Sequence, residues 1–248
     1  MICYVDMEHE VALQSAEKRA EHQAYCLDVR RRLEQASGDA CAARRYEDVT
    51  RAWLRESGIR ALVIGGNVTD WAEYDEAHLL RMYGIIQSAE LPILGICGGL
   101  QLIAMAHNTP LGPMRRLEEG EKDPDASFAP GYYKEWGFVP LHVLKPDPLF
   151  DGLAERPVFL AAHYWEVQAV PPGFELLASS DACRVQAIRR VGTSVYGTQF
   201  HPEAYIDGQD GRCSWLVDLV YPAGYTQHQP HGRSLLVNYF RLVGFPQT

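Results

Sequence analysis

The residues best suited to chemistry are Cys97, in Gly95-Ile96-Cys97-Gly98-Gly99-Leu100-Gln101, and the pair His201 and Glu203, in Gln199-Phe200-His201-Pro202-Glu203. A short apolar run, Ile93 to Ile96, leads straight into the cysteine, and glycines follow it. That is the sequence form of a strand ending in a nucleophile, on a tight turn from which a helix starts at once. A helix beginning at Gly98 would aim unpaired N–H groups and the positive end of its dipole at the sulfur, favouring thiolate and later an oxyanion. A buried structural cysteine at a tight strand-to-helix turn fits the same residues, because free cysteine is commonly buried. A nucleophilic thiol also needs a base. In extended chain the side chains of i and i+2 point the same way, and Pro202 is expected to hold this stretch extended, so His201 and Glu203 should lie side by side. Glu203 would fix the tautomer of His201 and stabilise its cation while His201 exchanges protons with Cys97.

The elements that must position these groups follow from periodicity and turn residues. Ile2 to Val5 reads as a strand, and apolar residues then recur at helical spacing from Leu13 to Leu27 until Ser37-Gly38 ends the pattern. The helix and its continuation, about Leu13 to Arg45, look long, and Arg30-Arg31-Arg32 reads as closing a helix against its dipole. Asp48 is a candidate cap for a second helix through Leu54. Ile59 to Ile64 is a buried strand running into Gly65-Gly66, a helix from about Glu73 to Gln87 follows, and Ile93 to Ile96 is the next strand. Strands alternating with helices predict a three-layer α/β fold: a mostly parallel sheet flanked by helices. From Leu111 onward shorter strands separated by turns predict a mixed or antiparallel extension of the same sheet, closed by a helix at Gly232 to Leu242 with Leu235, Leu236, Tyr239 and Phe240 inward. One domain over 1–248 is expected, with an insertion at about 204–231 that would serve as a lid, a docking surface or a plain surface elaboration.

Composition narrows the function classes. A net charge of −9 over 248 residues argues against binding nucleic acid or a membrane surface. No segment reaches the roughly 20 apolar residues that span a bilayer, no secretory leader is evident, and six scattered cysteines fit a reducing cytoplasm. Asn67-Val68-Thr69 then matches a glycosylation acceptor only by accident. His228-Gln229-Pro230-His231 has no thiol or carboxylate at ligand spacing and reads as a solvated loop, so neither a metal nor a cofactor is expected. Cys183 and Cys213 read as packing residues, and Tyr132, Tyr133 and Trp136 as pocket wall or core.

Gly95-x-Cys97-x-Gly99-x-Gln101 together with Phe200-His201-Pro202-Glu203 resembles the class I glutamine amidotransferase family, whose members release ammonia from glutamine with a Cys-His-Glu triad. Gly65-Gly66, Glu135-Trp136-Gly137, His163-Tyr164-Trp165-Glu166-Val167 and the closing helix are similar to further segments of that family. The resemblance implies its flavodoxin-like fold, with Cys97, His201 and Glu203 as the triad and N–H groups at Gly66 and Gly98 as the oxyanion hole. It also implies Gln101, Glu135, Trp136 and His163 as substrate-binding residues. The chain has no phosphate loop for an acceptor reaction, so the ammonia would go to a separate synthetase subunit or be released. A γ-glutamyl peptide hydrolase with the same triad is the neighbouring alternative, because Tyr164-Trp165 are bulky. A catalytically silent regulatory or binding subunit is the alternative from another class.

Overall fold

The computed structural model describes residues 1–126, 128–205 and 231–246. Along the chain run β1 (Ile2–Asp6), α1 (Ala16–Ser37), β2 (Cys41–Arg45), α2 (Arg51–Glu56), β3 (Ala61–Ile64), α3 (Glu76–Ser88), β4 (Ile93–Ile96) and α4 (Gly98–Ala106). Short strands follow: β5 (Leu111–Pro113), β6 (Glu135–Pro140), β7 (His142–Val143), β8 (Val158–His163), β9 (Trp165–Val167), β10 (Phe174–Ser179), β11 (Ala187–Arg190) and β12 (Val195–Thr198). Helix α5 (His231–Leu242) closes the described chain.

The main sheet has eight strands in the order β2-β1-β3-β4-β12-β11-β10-β7. Pairing is parallel from β2 through to β12 and antiparallel from β12 to β7. Alternation of side chains divides each central strand between two cores. Ile2 and Tyr4 of β1 join Val29 and Leu33 of α1 and Leu235, Leu236, Tyr239 and Phe240 of α5 on one face. Cys3 and Val5 join Leu79, Met82 and Ile86 of α3 and Leu100 and Ile103 of α4 on the other. The three-layer α/β expectation therefore holds, and the switch from parallel to antiparallel pairing falls beside β4 and β12, the strands that lead into Cys97 and His201.

Several local expectations are corrected. Gly38 ends α1 at φ 68°, and residues 41–45 form the edge strand β2, not a continuation of the helix. The Arg30-Arg31-Arg32 run lies inside α1, with Arg32 buried and bonded to Asp28 and to the Tyr205 carbonyl. Thr50, not Asp48, caps α2, its hydroxyl accepting from the Trp53 N–H at 3.1 Å. The second half only partly extends the main sheet, because β5–β9 and β6–β8 form separate two-stranded sheets. His231 is buried at the start of α5, its Nδ1 3.0 Å from the Val158 N–H, and is not a solvated loop residue. Residues 206–230, with Cys213, His228 and nearly all of the expected insertion, lie outside the described residues. Cys183 is a buried free thiol.

Candidate active site

Cys97 joins β4 to α4 at φ 52° and ψ −105°, a conformation that L-residues rarely adopt. Its N–H is tied to the Thr198 carbonyl at 2.7 Å, so the end of β12 helps hold the bend. The neighbouring glycines are required by close approach. A Cβ on Gly95 would lie 2.5 Å from the Gly99 carbonyl oxygen, and one on Gly99 would strike the Ile64 carbonyl. Strand and helix thus touch backbone to backbone, and the sulfur stands at the carboxyl end of the parallel strands, where α/β sheets place their ligands.

His201 follows β12, and its N–H donates to the Leu160 carbonyl at 2.8 Å, anchoring it to β8. Its Nδ1 lies 2.7 Å from Glu203 Oε1, leaving the other ring nitrogen for the hydrogen bond to Cys97. Pro202 does not hold the chain extended. Residues 201–204 form a turn, closed by the Ala204 N–H donating to the His201 carbonyl at 3.2 Å, and the turn brings the two side chains together. Burial alone would lower the His201 pKa, but the charges of Glu203 and Cys97 and the hydrogen bonds to both outweigh it, holding the imidazolium well above its usual range. By contrast, burial pushes the thiols of Cys3, Cys26 and Cys41 up to about 12, so none of them is primed as a nucleophile.

Cys97 and His201 open onto a cavity of about 750 Å³, lined also by Gly66, Gln101, Trp136, His163, Tyr164 and Trp165. Gly66 faces both groups, since a Cβ there would lie 3.3 Å from Cys97 Cβ and 3.3 Å from His201 Cε1. Gly98 is the first residue of α4, so its N–H has no acceptor within the helix. The amide of Gln101 is held on three sides: Oε1 accepts from the Trp71 indole at 3.0 Å, and Nε2 donates to Trp165 O at 3.2 Å and Gln199 Oε1 at 3.4 Å. Glu135 is the exception among the expected pocket residues. Its carboxylate is buried behind His163, receiving Ser180 Oγ at 2.5 Å and Gln186 Nε2, with His163 Nε2 at 2.9 Å, and it does not line the cavity. Glu135 therefore reaches the cavity only through the His163 ring that it holds.

Sequence reasoning misses three participants. Tyr25 of α1 donates its hydroxyl to Glu203 Oε1 at 3.1 Å across 178 residues, and no local pattern marks it. Gln199 Nε2 lies 3.5 Å from Cys97 Sγ. Its position two residues before His201, on the side-chain period of a strand, is the signal that could have found it. Asn67, which the sequence marks only as an accidental glycosylation acceptor, lines the cavity and donates to Thr69 O at 2.7 Å.

The family model for glutamine amidotransferase class-I matches residues 30–213. A subunit of a glutamine-hydrolyzing GMP synthase from Methanocaldococcus jannaschii is 32% identical over 161 residues, covering 65% of this chain and 65%, just under two thirds, of that relative. The protein of the same name from Pyrococcus furiosus is 30% identical over 218 residues, covering 79% of this chain and 93% of its own. Among solved structures, a glutamine amidotransferase from Methylobacillus flagellatus superposes with a TM-score of 0.63 at 16% identity, covering 100% of this chain and 96% of that one. The glutaminase domain of Trypanosoma brucei CTPS, solved with acivicin, gives 0.59 at 12% identity, covering 100% and 97%. These two likenesses speak for the fold, while the family match extends over most of the sheet and both strands that carry the candidate triad. The chain belongs to the class I glutamine amidotransferase family.

Proposed function

We propose that this chain hydrolyses the side-chain amide of glutamine and passes the ammonia to a synthetase carried on a separate subunit, with 1–248 acting as one amidotransferase domain. The observation that carries the reading is the strained Cys97 turn facing His201, whose Nδ1 is 2.7 Å from Glu203 Oε1. The sulfur of Cys97 attacks the amide carbon, forming a C–S bond and moving the carbonyl electron pair onto oxygen. The N–H groups of Gly66 and Gly98 receive that oxyanion, a contribution of about 100–1,000-fold in kcat per donor in hydrolases. His201 gives its proton to the departing nitrogen, and the C–N bond breaks to leave a glutamyl thioester and ammonia. His201, now neutral, takes a proton from the water that attacks the thioester, and the C–S bond breaks to release glutamate, leaving the Cys97 thiolate beside the His201 imidazolium. Gln101, Trp136 and His163 line the substrate's side of the cavity, and Glu135 orients His163 from behind.

The separate acceptor protein is favoured by the names of the relatives, each a subunit of a glutamine-hydrolyzing GMP synthase. The test is release of glutamate and ammonia from glutamine, followed with and without the Cys97→Ala substitution. Turnover that disappears with Cys97, and a glutamyl adduct on the native protein by intact mass, are expected. Equal turnover by Cys97→Ala overturns the assignment.

A further inference from the structure

We propose that Asp6, His22 and Cys26 form a binding site for a zinc-class divalent cation at the edge of the catalytic cavity, with one coordination position left open. Asp6 ends β1, while His22 and Cys26 lie four residues apart in α1 and so share one face of that helix, a turn apart. His22 Nε2 is 3.0 Å from each Asp6 carboxylate oxygen and 3.4 Å from Cys26 Sγ. All three donor atoms lie within 4.8 Å of one another.

Without a cation, an N–H at Nε2 donates to the Asp6 carboxylate, and the Cys26 sulfur, a weak acceptor, lies against that same nitrogen. A cation that replaces that proton, seated off the N···O line about 2 Å from the ring nitrogen, is ligated by oxygen, nitrogen and sulfur at once. Tetrahedral zinc with bonds of about 2.0–2.3 Å sets its ligands about 3.3–3.6 Å apart, within a few tenths of an ångström of the 3.0 and 3.4 Å found here. The mixed donor set with a thiol favours zinc over magnesium or calcium, which take oxygen ligands.

The carboxylate is already oriented, since Asp6 Oδ1 accepts the Glu8 N–H at 3.0 Å. Arg45 also approaches it, Nη1 lying 3.7 Å from Asp6 Oδ2, but that guanidinium makes its shorter contacts to Glu47, at 2.8 and 3.0 Å. His22 lines the cavity, so the fourth position has access to solvent or a small ligand. The site also bears on the candidate triad. Tyr25 sits between His22 and Cys26 in sequence and donates to Glu203, so a cation joining β1 to α1 would fix the helical turn that orients Glu203. The site does not depend on the proposed hydrolysis, and binding is measured apart from it.

Cobalt(II) serves as a visible substitute for zinc, titrated into chelator-treated protein. The native chain and Cys97→Ala are both expected to bind one equivalent with thiolate-to-cobalt charge-transfer absorption, displaced by zinc. Cys26→Ser should remove that absorption. His22→Ala should weaken zinc by at least the roughly 10–100-fold that losing even an outer partner costs. Absence of the charge-transfer band in the native protein overturns the site without recourse to any variant. A band that survives Cys26→Ser but vanishes in Cys97→Ala overturns it too, by moving the metal to the candidate triad.

Discussion

His201 sits between two groups that both favour its charged form, in a place where burial opposes it. Because folding stabilises the imidazolium, this ionisation contributes its full stability below the unfolded pKa of about 6.5 and loses it as pH rises through the raised folded value. Glu203→Gln removes the charge with the larger effect on His201 and leaves the desolvation. The His201 ring resonance, followed by NMR against pH, should then titrate at lower pH than in the native protein, with the charge of Cys97 and its hydrogen bond left to oppose the desolvation. An unchanged titration would mean that Cys97 alone holds the proton. Tyr25→Phe tests the positioning of the carboxylate. It deletes the hydrogen bond to the charged Glu203, worth about 1.5–3 kcal/mol, together with the one shared with Tyr4, and should lower kcat by roughly tenfold or more with little change in KM. A fall in stability with kcat unchanged would leave Tyr25 a packing residue. Cys97, His201 and Glu203 are legible in the sequence because each announces itself locally, through glycines, a strand end or an i, i+2 pair. Tyr25 is not, because what matters about it is a contact 178 residues away in the chain.

At the scale of elements, the β4–α4 junction is where sequence and geometry agree most closely. Small residues stand where backbone meets backbone, and the one side chain in the strained position is the one with chemistry. Such strain costs on the order of 1–3 kcal/mol, which Gly avoids and Ala does not. Cys97→Gly should therefore be more stable than Cys97→Ala by about 1 kcal/mol in urea unfolding, although neither turns over glutamine. Gly95→Ala acts in the opposite direction, forcing its Cβ to 2.5 Å from the Gly99 carbonyl oxygen. Its urea midpoint should fall by the equivalent of about 2–4 kcal/mol. Elements whose identity comes from distant pairing are harder to read. Cys41-Ala42-Ala43-Arg44-Arg45 contains good helix formers and no alternation of apolar residues, yet it is a strand because Ile2 to Asp6 of β1 offers it a parallel edge. The turn at 201–204 escapes the sequence for a related reason: proline after a strand suits an extended chain and the first corner of a turn equally well.

Across the whole molecule, the candidate site depends on joining segments far apart in the chain, and α1 makes one of those joins with a charged residue. Arg32 is 2% exposed, donates to the Tyr205 carbonyl at 2.6 Å and to Asp28 Oδ2 at 2.8 Å, and places its guanidinium 4.3 Å from the centre of the Tyr205 ring. It thereby ties the helix that supplies Tyr25 to the segment just beyond Glu203. Asp28 is partly exposed and keeps Arg31, whose Nη2 is 3.0 Å from its Oδ1, when Arg32 is removed, so the larger losses in Arg32→Ala are the packing over Tyr205 and the partner of a buried carbonyl. A loss of about 2–4 kcal/mol is expected, read as a lower midpoint in urea. Lysine should not restore it, because a single ammonium cannot bridge the carbonyl and the carboxylate while stacking on the ring. If the tie also sets the position of Glu203, kcat for glutamine falls in Arg32→Ala, and also in Arg32→Lys under conditions where that variant is fully folded. A Lys variant that is destabilised yet retains native kcat would separate the two roles, confining Arg32 to holding α1 against the sheet and leaving the orientation of Glu203 to Tyr25 and His201.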